Sequence, residues 1–67
     1  MSTLQEREER FERMLADIQK NYGDISLRMK NLRAEGRTKT VTYRELMGNK
    51  LLYQNILSLY RSYGLFD

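Results

Sequence analysis

From Phe11 onward the apolar side chains fall at Leu15, Ile18, Tyr22, Ile25, Met29 and Leu32, at spacings of 4, 3, 4, 3, 4 and 3 residues. That is the seam of a helix packing along one line, with Leu4 as an upstream member and Glu8 as the polar interruption. Gly23 lies off the seam and does not reset its phase. A true break would shift the register, so the pattern predicts one long helix over about 3–35 with a weak point worth about 1 kcal/mol at the glycine. The alternative is a three-helix bundle in which "NYGD" ends one helix at Gly23 and Asp24 caps the next.

The second apolar set is wider. Leu46, Leu52, Tyr53, Ile56, Leu57, Leu59, Tyr60 and Tyr63 cover an arc of roughly 160° when wound at 100° per residue. A single neighbouring helix needs a narrower stripe. Leu52, Ile56 and Leu59 fall on the side of the arc away from Leu46 and Leu57, so one group is expected to face the first helix and the other a second copy. The candidate self-association residues are Leu52, Ile56, Leu59 and Tyr63.

Local signals punctuate these two helices. Ser2 with Gln5, or Thr3 with Glu6, offers a capping box at the first start, and Thr42 with Glu45 offers one near residue 42. Glu6 with Arg10 and Glu9 with Arg13 are spaced as supporting ion pairs. Gly36 is placed to end the first helix and Gly64 the second, with Leu65 supplying the apolar contact of a Schellman ending. The expected fold is therefore all-α: a single-domain antiparallel hairpin of long helix, basic loop over 36–41 and second helix over about 42–63. A charged helical N-terminal arm occupies residues 1–10. The seam and the second helix both span about 30 Å at 1.5 Å per residue, so that arm overhangs.

Size changes the picture. With 67 residues and no cysteine, the chain has neither the core of a large domain nor a disulfide to reinforce a small one. Dimerisation into a helical bundle is the remaining source of buried area. There is no proline to break either helix. There is also no histidine, which removes the commonest general base near neutral pH and the commonest transition-metal ligand. The acids of the first helix alternate with arginines as on a solvated face, and no glycine-rich phosphate loop is present. A non-enzymatic protein without catalytic, cofactor or metal residues is expected. The charged opening "MSTLQEREER" has no apolar core of a signal peptide, and no apolar run is long enough to span a membrane. A cytoplasmic location is expected.

Charge is unevenly placed. Residues 1–27 carry four basic and six acidic side chains, net −2, and residues 45–67 balance. Residues 28–44 carry Arg28, Lys30, Arg33, Arg37, Lys39 and Arg44 against Glu35, six minus one, net +5. A helix C-terminus favours Arg28, Lys30 and Arg33, but it does not account for Arg37, Lys39 or Arg44. Two functions follow. The first is an interaction or regulatory protein that self-associates and presents the basic loop to an acidic partner, which includes the acidic arm of another subunit. The alternative is a nucleic-acid-binding regulator. It would contact phosphates through Arg33, Arg37, Lys39 and Arg44, or use a helix-turn-helix in 42–63 with a turn at Gly48-Asn49 and Lys50, Gln54, Ser58 and Arg61 exposed.

Overall fold

The computed structural model describes residues 3–66 and is an antiparallel pair of helices, α1 (Leu4–Ala34) and α2 (Val41–Ser62). Helix α1 opens on Thr3, whose hydroxyl accepts from the Glu6 N–H at 3.1 Å and reaches the Glu6 carboxylate at 3.2 Å. This is the Thr3 box; the Ser2–Gln5 alternative lies outside the described residues. Arg10 pairs with Glu6 at 4.0 Å, whereas Glu9 accepts from Gln5 Nε2 at 3.5 Å and not from Arg13.

No break occurs at Gly23. Helix α1 runs unbroken through it, so the three-helix alternative does not form. The seam explains why: residues on both sides of the glycine bind the same face of α2, and a bend there would cost one half of those contacts. Leu15, Ile18 and Met29 are buried, and Phe11, Tyr22, Ile25 and Leu32 pack beside them.

Helix α1 ends as a Schellman motif. Gly36 takes φ +71°, its N–H binds the Arg33 carbonyl at 3.0 Å and the Arg37 N–H binds that of Leu32 at 2.8 Å. A side chain at that φ would crowd its own backbone, which is why glycine stands there. The connection spans residues 35–40, one residue earlier than the pattern predicted. Its closing residue corrects the expected capping box: the N-cap of α2 is Thr40, not Thr42. Thr40 Oγ1 accepts from the Tyr43 N–H at 3.1 Å and donates to the Arg37 carbonyl at 3.0 Å. Thr40 therefore caps the helix and closes the turn together, which Thr42, already inside the helix, cannot do. Gly64, at φ +72°, repeats the Schellman ending for α2, with Leu65 N–H on the Tyr60 carbonyl at 2.9 Å.

The core lies between the helices in two clusters. Leu15, Ile18, Leu57 and Tyr60 form one, with the Phe11 and Tyr60 rings edge to face at 5.0 Å. Met29, Tyr43 and Leu46 form the other, beside the loop. Among the described residues, three hydrogen bonds set the register across the seam: Asn21 to the Tyr53 hydroxyl at 3.4 Å, Gln54 to the Tyr22 hydroxyl at 3.0 Å, and Arg33 to the Tyr43 hydroxyl at 3.2 Å. Tyrosine suits these positions because the ring fills the seam while the hydroxyl stays at its wet edge.

Candidate interaction surfaces

Two surfaces remain after the hairpin has closed. The first is on α2. Its buried side chains, Tyr43, Leu46, Leu57 and Tyr60, all face α1. Leu52, Leu59 and Tyr63 do not, and they stay 57%, 63% and 77% exposed. Ile56 lies between the groups, half-buried against the Leu15–Tyr60 cluster. Along the helix these four residues are spaced 4, 3 and 4 apart, the spacing of a second seam. A shallow apolar groove of about 250 Å³ runs beside them, lined by Phe11, Ile56, Leu59, Tyr60, Tyr63 and Leu65. The groove takes in Ile56, Leu59 and Tyr63 of the stripe, so the two share an apolar face from mid-helix towards the open end of the hairpin.

Scattered apolar residues on a surface need no explanation, but a heptad-spaced apolar row does. The shape of the molecule sharpens this. A compact protein of 8.1 kDa exposes roughly 4,500 Å², whereas this hairpin exposes 5596 Å². The excess, on the order of 1,100 Å², is comparable to the ~800 Å² that each partner buries in a standard interface. The radius of gyration, 15.2 Å, likewise exceeds the ~11 Å of a compact chain of this length.

The second surface is the basic end. Arg33, Arg37, Lys39 and Arg44 are all exposed, and the structure places them on the last turn of α1, the loop and the first turn of α2. They are not equivalent. Arg33 donates to Tyr43, and Arg37 pairs with Glu35 at 3.5 Å across an exposed contact. Among the described residues nothing binds the side chains of Lys39 and Arg44. Two capping motifs and the Thr40–Arg37 bond hold the loop, so these cations project from a fixed turn.

The expected helix-turn-helix in 42–63 does not form. Helix α2 is continuous through Gly48 and Asn49, so the required turn does not form. Glycine lowers helix propensity by about 1 kcal/mol, which is too little to break a helix anchored at Leu46 and at Leu57. Of the residues proposed to read bases, Gln54 binds Tyr22, Lys50 lies 6.0 Å from the Tyr22 ring and Arg61 stacks 5.0 Å from the Phe66 ring, while Ser58 stays exposed.

Three residues escaped the sequence pattern. Tyr43 is core, signalled only by its position three before Leu46. Phe66 packs back on the core after the Gly64 turn, and no helical period reaches it. Val41, the first residue of α2, is 69% exposed at the basic end. Among the described residues no helix is long and apolar enough to cross a membrane.

No protein-family model, curated protein or solved structure matches this chain.

Proposed function

We propose that this protein is a small non-enzymatic interaction module: a helical hairpin that self-associates through the outer face of α2 and offers a basic loop to an acidic partner. The observation that carries this reading is the exposed row of Leu52, Leu59 and Tyr63, continued by Ile56, on the side of α2 turned from α1. A helix that buries one stripe and leaves a second at heptad spacing is built for two neighbours. The hairpin supplies one of them.

The test uses Leu59→Asp. Leu59 is exposed in the single hairpin, so the aspartate is solvated there and the helices keep their circular dichroism. Inside a helix-helix interface it becomes an unpaired buried carboxylate, which costs several kcal/mol. Sedimentation velocity of the wild type at 10–100 µM (roughly the range in which a micromolar Kd is visible) is expected to show a dimer or larger species, and Leu59→Asp a folded monomer. A wild type that is a folded monomer at the highest concentration refutes the reading. Ile56→Asp is a poorer test, because Ile56 also packs on the internal core.

A second reading rests on Lys39 and Arg44, exposed and unengaged on a fixed turn: the basic end contacts a nucleic-acid backbone. Such binding would fall steeply with salt and would be lost in the Arg37→Ala, Lys39→Ala, Arg44→Ala triple variant. Exposed charges contribute little to stability, so that variant would keep its helices and its assembly.

A further inference from the structure

The two ends of the hairpin carry opposite charge, and each carries something unfinished. At the loop end, residues 28–44 hold six basic side chains and one acidic, net +5. At the open end, residues 4–17 hold Glu6, Glu8, Glu9, Glu12 and Asp17 against Arg7, Arg10 and Arg13, net −2. The cross-helix bonds Asn21–Tyr53, Tyr22–Gln54 and Arg33–Tyr43 give the register. Extended along the helices, that register sets Ser62, the last residue of α2, level with the start of the α1 seam near Arg13. Residues 4–10 therefore project past α2 by about 10 Å at 1.5 Å per residue. This arm has helical backbone, yet no second helix covers it: Leu4, which continues the seam, is 82% exposed.

We infer that the occupant of both unfinished ends is a second copy of this chain, docked antiparallel, so that the acidic arm of each hairpin lies along the basic half of the other. This rests on the self-association reading above and names an acidic partner for the basic half of the hairpin. The apolar face of α2 does not by itself choose an orientation. Two copies paired parallel set Leu52 on Leu52 and Ile56 on Ile56. Two copies paired antiparallel about a point near Leu57 and Ser58 set Leu52 against Tyr63 of the second copy and Ile56 against its Leu59. The same four side chains are buried either way.

Charge and the overhang separate the two arrangements. Parallel docking places two +5 ends side by side and two acidic arms side by side, and like charges in register oppose association. It also leaves both arms projecting into water. Antiparallel docking carries each arm beyond Lys50 of its neighbour, where Arg28 and Arg44 lie on the two helices, exposed. Leu4 then gains a neighbour, and the acidic turns around it meet the excess positive charge.

The chain has no native cysteine, so Thr38→Cys, at the exposed loop, takes a spin label at one defined site. Sedimentation first establishes whether that labelled protein is a dimer. Electron-electron resonance then measures the distance between loops. Antiparallel docking about residues 57–58 predicts a separation on the order of 60 Å, from the ~20 residues between that point and the loop in each copy. Parallel docking predicts roughly 25 Å or less, the width of a four-helix bundle of ~10 Å helices. The charge claim has its own test. Glu8→Lys, Glu9→Lys and Glu12→Lys together are expected to weaken the dimer at least tenfold at low salt, and Arg28→Glu, Lys30→Glu and Arg44→Glu added in the same chain to restore it. A folded dimer with close loops, or one whose affinity ignores both salt and the arm substitutions, overturns the antiparallel inference and leaves self-association standing. A monomer overturns both.

Discussion

Gly23 and Gly36 have the same side chain and opposite roles, and exchanging each for alanine reads the backbone of this hairpin directly. Gly23 sits inside α1 with helical backbone, and a methyl group built on it meets nothing within 4 Å. Alanine there removes conformational freedom from the unfolded chain without a clash, so Gly23→Ala is expected to stabilise by about 0.8–1.0 kcal/mol. Unfolding entropy near 2.1 cal/mol/K per residue gives about 0.14 kcal/mol/K over this chain, so the melting temperature is expected to rise by about 6–7 °C. Gly36 also has open space around it, but its φ is +71°. Alanine there meets its own carbonyl, at a cost of about 1–2 kcal/mol, and the midpoint is expected to fall by about 7–14 °C. The assay is thermal unfolding by circular dichroism at 222 nm (the helical signal, about the same in all three proteins), at one fixed protein concentration because association shifts apparent stability. The decisive result is the pair of signs. A Gly23→Ala protein that melts lower than wild type would mean that the glycine is a cap or hinge, and the continuous α1 would be wrong. A Gly36→Ala protein that melts higher would remove the Schellman ending from which the loop geometry is argued.

Further outcomes follow from the cap and the core. Thr40→Ala is expected to lose about 1 kcal/mol through its missing helix cap, while Thr42→Ala changes stability by no more than a few tenths, and urea unfolding of the two side by side distinguishes them. Leu57→Ala, in the cluster with Leu15, Ile18 and Tyr60, is expected to cost about 2–5 kcal/mol, enough to leave little folded hairpin at low concentration; a loss below about 1 kcal/mol by the same denaturation would mean that Leu57 is not core.

What could be read without coordinates was whatever repeats with the period of a helix. The seam from Phe11 to Leu32 keeps its phase over seven members, so the continuity of α1 through Gly23 was legible despite the glycine's low propensity. The two glycine endings were legible for a different reason: only glycine takes the left-handed backbone cheaply. The wide arc on α2 is broader than α1 covers, and its angles already divided the buried Leu46 and Leu57 from the exposed Leu52 and Leu59, whereas Ile56, expected with the latter, packs on the core.

The tertiary structure decided what local pattern leaves degenerate. Thr40 and Thr42 are equally good caps in isolation; Thr40 wins because the Schellman turn delivers the Arg37 carbonyl to its hydroxyl. Gly48-Asn49 reads as a turn locally, yet α2 stays helical because the contacts on either side, Leu46 with Met29 and Leu57 with Leu15 and Ile18, lie on one straight face. Tyr43 and Phe66 join the core only because the return of the chain brings helix ends onto partners far away in sequence, a placement no single-helix period encodes. The charge asymmetry was visible in the sequence as net +5 over residues 28–44. That it gathers at one end of a rod 49 Å long, opposite an uncovered acidic arm, is a consequence of folding the chain back on itself.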